Sequence, residues 1–111
     1  MDATGTNHQR RRELLAGKVA GPGVTDPQLR ADVMARSAGA TISVENPYDA
    51  LARQIGESSY RVTDAQVEAV KVAAGSDKAA FEMVFAASVG AGLARWDAAL
   101  SAIEGLDDAP A

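Results

Sequence analysis

Few residues in this 111-residue chain are equipped for chemistry, and they lie far apart. There is no cysteine, which removes disulfides, thiolate metal ligands, iron–sulfur clusters and cysteine nucleophiles together. The one histidine, His8, lies in a polar stretch near the N-terminus. A transition-metal site would have to be built from carboxylates around that single imidazole, so neither a metal nor another cofactor is expected. A Ser/His/Asp set fails for the same reason. No Gly-x-Gly-x-x-Gly and no phosphate loop ending in Gly-Lys-Ser/Thr occurs, and the glycines of SVGAGL sit inside a helical pattern with no strand before them.

Three groups remain as candidates. Glu82 is the only charge between Ala79 and Ala94; burial among apolar neighbours would raise its pKa and suit it to proton transfer, unless Lys78, one turn earlier, pairs with it. Arg95, Trp96 and Asp97 cluster on the last helical segment, where a tryptophan beside an arginine is either packing or a ligand shelf. The run Arg10, Arg11, Arg12 gives the first 20 residues four cations against two anions. Without interleaved aromatics, and in a chain of net charge −4 and pI near 4.8, that run reads as a solvated helix edge, so no nucleic-acid partner is expected.

The elements that must position these groups are all helical. Asn7 could cap a first helix carrying Leu14, Leu15 and Val19 on an apolar edge, closed by Gly21, Pro22 and Gly23. Asp26 followed by Pro27 opens a second helix with Leu29, Val33 and Met34 on one side. GATISVEN reads as a loop, after which Asn46 and Pro47 open a third helix striped by Tyr48, Leu51, Ala52, Ile55 and Ser59. Thr63 with Gln66 has capping-box spacing for a fourth helix that stops at Gly75. The last helix runs from Ser76 to Gly105, with Phe81, Val84, Phe85, Ser88, Gly92, Trp96, Ala99, Leu100 and Ile103 on one face and alanines widening it.

These elements predict one all-α domain over residues 7–105, with residues 1–6 and 106–111 as disordered ends. A helix apolar most of the way round needs more cover than four short helices give, which predicts a homo-oligomer. Gly90 and Gly92, each costing about 1 kcal/mol against alanine in a helix, mark a close approach of a neighbouring backbone. No window has the roughly 18 apolar residues that span a bilayer, and no secretory leader is visible, so no membrane association and a cytoplasmic location are expected.

The segment YRVTDAQVEAVKVAAGSDKAAFEMVFAASVGAGLARWDAAL, a helix ending in glycine, an immediate cap and a long alanine-rich helix with an arginine beyond its small residues, resembles the carboxymuconolactone decarboxylase and alkyl hydroperoxidase D-like superfamily. The resemblance covers about 45 residues and implies a five-helix orthogonal bundle with one long C-terminal helix, assembled as a trimer or hexamer. In redox-active members a Cys-x-x-Cys pair followed by histidine precedes the same glycine. Here those places fall near Tyr60, Thr63 and Val67, which cannot form a dithiol or relay a proton. The resemblance therefore implies a member without a redox centre: a non-catalytic accessory or scaffold subunit, or, as the alternative, a cysteine-independent enzyme or small-molecule binder with Tyr60, Glu82 and Trp96 lining a helical pocket.

Overall fold

The computed structural model describes residues 3–107, with side chains from 7 to 105. Five α-helices follow one another: α1 (Ala3–Ala20), α2 (Pro27–Ser37), α3 (Tyr48–Ser58), α4 (Asp64–Ala74) and α5 (Asp77–Asp107), with a single 3₁₀ turn, Ser59–Arg61, after α3. Among the described residues there is no strand, and no helix is long and apolar enough to cross a membrane. α1 begins four residues before the expected cap at Asn7, which lies inside the helix. Of the ends expected to be disordered, Ala3 to Thr6 belong to α1 and Leu106 and Asp107 to α5, while residues 1, 2 and 108–111 lie outside the described residues.

Local signals set most of the boundaries. The Asp26 carboxylate accepts from the Gln28 amide at 3.0 Å ahead of Pro27, satisfying an amide that has no partner within the helix. Thr63 and Gln66 form a reciprocal capping box, with bonds of 3.1 and 3.0 Å. Gly75 takes φ 101°, a left-handed conformation open to glycine, and ends α4. Ser76 then starts α5 by accepting the Ala79 amide at 3.1 Å. Asn46 does not cap α3: Pro47 holds the cap position after a cis Asn46–Pro47 bond, and the Asp49 amide is taken by the Glu45 carbonyl at 3.0 Å.

α5 is the axis of the fold and packs against all four other helices, α2 most extensively. Its inward face is made of small residues: Ala79, Ala80, Ala86, Ala87, Gly90 and Ala91 are buried beside Met83. Val33 of α2, Leu51, Ala52 and Ile55 of α3, Val70 of α4 and Val19 of α1 close over them. Small side chains let helix axes approach, and the last turn of α2 uses this twice. A Cβ on Gly90 would strike the Met34 carbonyl oxygen and Ser37 Oγ, and one on Gly56 would strike the Ser37 carbonyl oxygen. Gly92 is different, with nothing within 4 Å of its Cβ position, so only one of the two mid-helix glycines marks a contact within the chain.

The bulkier stripe of α5 faces outward. Phe81 is 66% exposed and Ile103 56%, Trp96 is 45% exposed, and Ser88, Gly92 and Ala99 are open to solvent between them. Phe85 is half-buried, stacked on Phe81 with centroids 6.2 Å apart. On α1, Val19 is buried and Leu15 partly so, while Leu14, expected on the same edge, is exposed.

Candidate functional site

Glu82 lies where α5 passes the link between α1 and α2. Its carboxylate accepts from the Val24 amide at 2.8 and 3.1 Å, from the Thr25 amide at 2.9 Å and from Thr25 Oγ1 at 2.6 Å. Gly23 keeps the linker near: a Cβ there would sit 2.7 Å from a Glu82 oxygen. The cation facing Glu82 is the buried Arg30 of α2, at 3.4 Å. Arg30 itself donates to the Val19 carbonyl at 2.7 Å, to Thr25 Oγ1 at 3.1 Å and to the Gly21 and Thr25 carbonyls. One guanidinium and one carboxylate thus tie the end of α1, the linker, α2 and α5 together.

This arrangement overturns the expected proton chemistry of Glu82. Burial alone would push its pKa up, but the Thr25 hydroxyl, the Val24 and Thr25 amides and the Arg30 charge outweigh it and lower the pKa from 4.5 to about 2. Such a carboxyl is ionised throughout the neutral range and neither donates a proton nor accepts one readily. Its charge partner is Arg30, not Lys78.

The second cluster joins the two ends of the chain. His8 stacks on Trp96 with centroids 5.1 Å apart and rings inclined by 18°, and its Nε2 lies 3.2 Å from Asp97 Oδ1. Arg12 Nη1 reaches both Asp97 oxygens, at 2.9 and 2.8 Å. His8 is therefore held against α5. Successive helix residues turn by about 100°, so the arginine run splits: Arg12 faces α5, and Arg10 and Arg11 face solvent. Among the described residues no group of three or more His, Cys, Asp or Glu side chains is placed to hold a metal.

The five positions singled out by sequence do not meet. Tyr60, 83% exposed, stands on the 3₁₀ turn with the Arg61 guanidinium 5.8 Å from its ring centre. Thr63 caps α4, and Val67 packs at the edge of the core. Glu82 lines a cavity of about 230 Å³ with Lys18, Pro22 and Phe85, and none of the other four positions is on its walls. Trp96 belongs to the His8 cluster.

A site missed from sequence is a cavity of about 500 Å³ between the ends of α2 and α3 and the middle of α5, floored by Ala91, Ala94 and Ala98 and rimmed by Arg36, Arg53 and Arg95. Nothing in the local pattern brings these three arginines together, because they sit on three helices. Arg36 bonds Asp49 at 2.8 Å and the Ala40 carbonyl at 3.0 Å, Arg53 lies 3.8 Å from Asp49, and Arg95 donates to the Gly56 carbonyl at 2.9 Å. The cations thus answer Asp49, the Ala40 carbonyl beyond α2 and the last turn of α3 before any ligand.

No family model, curated protein or solved structure matches the chain. What sequence and coordinates define together is an all-helical protein whose buried polar groups hold its helices in place.

Proposed function

We propose that this protein is a self-associating, non-catalytic helical accessory or scaffold subunit. The observation that carries this reading is the outward stripe of α5, where Phe81, Trp96 and Ile103 stand exposed along one line. Several large apolar side chains left exposed on one helix face of a small domain point to an interaction surface. The polar clusters support the same reading, since Glu82, Arg30 and Asp97 are engaged in holding helices. If the resemblance to the carboxymuconolactone decarboxylase and alkyl hydroperoxidase D-like superfamily holds, Tyr60, Thr63 and Val67 occupy the redox positions, and Thr63 is committed to a helix cap.

Sedimentation equilibrium over a concentration series tests the reading. A mass that rises above 11.4 kDa supports it, and a monomer at every concentration refutes it. A second reading, a cysteine-independent enzyme or small-molecule binder, is favoured by the arginine-rimmed cavity. Thermal-shift measurements with aromatic acids, lactones and quinones test that one: an acid that raises the melting temperature of the parent but not of Arg95→Ala supports it, and a flat response refutes it.

A further inference from the structure

The cavity that Glu82 borders carries charge that the fold does not use. Lys18, near the end of α1, and Lys78, in the first turn of α5, stand on its walls with Arg30 and Glu82. Arg30 and Glu82 answer each other and the linker. Neither lysine is in an ion pair among the described residues. The neighbouring carboxylates are engaged elsewhere and are not on the walls: Asp77 bonds Lys71 at 3.0 Å, and Glu13 accepts from Gln9 at 3.2 Å. The walls therefore hold three cations against one anion, an excess of positive charge on a chain whose net charge is −4. The helix ends do not cancel it. Lys78 stands at the positive end of α5, and at the negative end of α1 the Val19 and Gly21 carbonyls are already bonded by Arg30.

The rest of the lining is apolar. Phe81 and Phe85 stack with rings inclined by 19°, giving one aromatic wall, and Pro22 stands across from them. Phe81 is 66% exposed, apolar area that a ring laid against it would hide from water.

We infer that this cavity binds a small aromatic acid, its ring against Phe81, Phe85 and Pro22 and its anionic group held by Lys18 and Lys78. The volume of about 230 Å³ lies below the roughly 300–1,000 Å³ of sites for drug-sized ligands, so a single ring with its acid group fills it. Both lysines are exposed and act as point charges, so the attraction falls as salt rises. A ligand of about nine non-hydrogen atoms, bound at the efficiency usual for small molecules, dissociates at about 1 mM. The site is built by one chain and shares no lining residue with the arginine-rimmed cavity.

Titration of benzoate into the isotope-labelled full chain tests the inference, with amide chemical shifts as the readout, at low salt and at a low protein concentration that leaves Phe81 uncovered by a second copy. The expected result is saturable shifts centred on Lys18, Val19, Lys78, Phe81 and Glu82, half-complete at about 1 mM. Benzyl alcohol, which has the ring without the charge, and inorganic phosphate, which has the charge without the ring, are each expected to bind several-fold more weakly. Lys18→Met combined with Lys78→Met removes two exposed charges and keeps the melting temperature, while benzoate binding weakens about tenfold. Phe81→Ala, at an exposed ring, supplies a second arm with the same expectation of weaker binding in a folded chain. Arg95→Ala leaves binding unchanged. The inference is overturned by the absence of saturable shifts, by benzyl alcohol or phosphate binding as tightly as benzoate, or by undiminished binding in the double lysine variant. Shifts centred on Gly56 and Arg95 also overturn it and support the arginine-rimmed cavity in its place. Self-association stands or falls separately, by sedimentation.

Discussion

Replacing Glu82 with glutamine removes the charge from the carboxylate that ties the α1–α2 linker to α5 while keeping its size. The folded state holds the carboxyl near pKa 2 against an ordinary 4.5, which is worth at most about 3 kcal/mol at neutral pH. Solvent at the rim of the site reduces this to about 2 kcal/mol, and part of the loss is Arg30 left buried without its counter-charge. Because the pKa is depressed on folding, this contribution is complete above pH 4.5 and is lost as the pH falls toward 2. Urea unfolding followed by circular dichroism, at one fixed protein concentration, measures the gap between parent and Glu82→Gln. The gap is expected to be about 2 kcal/mol at pH 7, a fall of roughly 10 °C in melting temperature, and to narrow to about a quarter of that by pH 2.5. A variant within 0.5 kcal/mol of the parent at pH 7, on the order of measurement error, refutes the reasoning, and so does a gap of unchanged size at pH 2.5.

The two mid-helix glycines respond oppositely to alanine. Gly90→Ala drives a methyl into the Met34 carbonyl and destabilises by about 3 kcal/mol, whereas Gly92→Ala gains about 1 kcal/mol at concentrations where the chain is monomeric; chemical denaturation distinguishes the signs. Thr63→Ala loses the hydroxyl half of the capping box, about 1 kcal/mol, with faster amide exchange confined to the first turn of α4. Asp97→Ala frees Arg12 and His8, and hydrogen exchange should rise along α1 before Val19 while global stability falls by no more than about 1 kcal/mol, because the ion pair is half-exposed.

Helix ends were legible wherever a side chain satisfies backbone groups next to it in sequence. Asp26 with Pro27, Thr63 with Gln66, Ser76 and Gly75 all act where their spacing placed them. Asn46 failed because the amide it was expected to cap bonds the Glu45 carbonyl instead, an arrangement no spacing rule reports. The facing of α5 was not legible either. Its apolar residues surround the whole helix, so side-chain bulk pointed to the Phe81–Ile103 stripe as the surface to cover, while the chain covers the alanine side, where axes can approach. The polar network was hidden for a related reason. Glu82 and Arg30 are 52 residues apart, and nothing near Glu82 except Lys78 suggested a partner.

The small inward residues of α5 also shape how stability varies with temperature. Alanine and glycine bring backbones together but hide little hydrocarbon from water, so unfolding exposes less apolar surface than it would from a core of leucine and phenylalanine. The heat-capacity increment should therefore fall below the usual 12–15 cal/mol/K per residue, about 1.5 kcal/mol/K for a chain of this length, and scanning calorimetry would read it directly. A smaller increment flattens the stability curve. The protein would then keep a modest, nearly constant margin of folding free energy from the cold well into the warm, with no sharp optimum between.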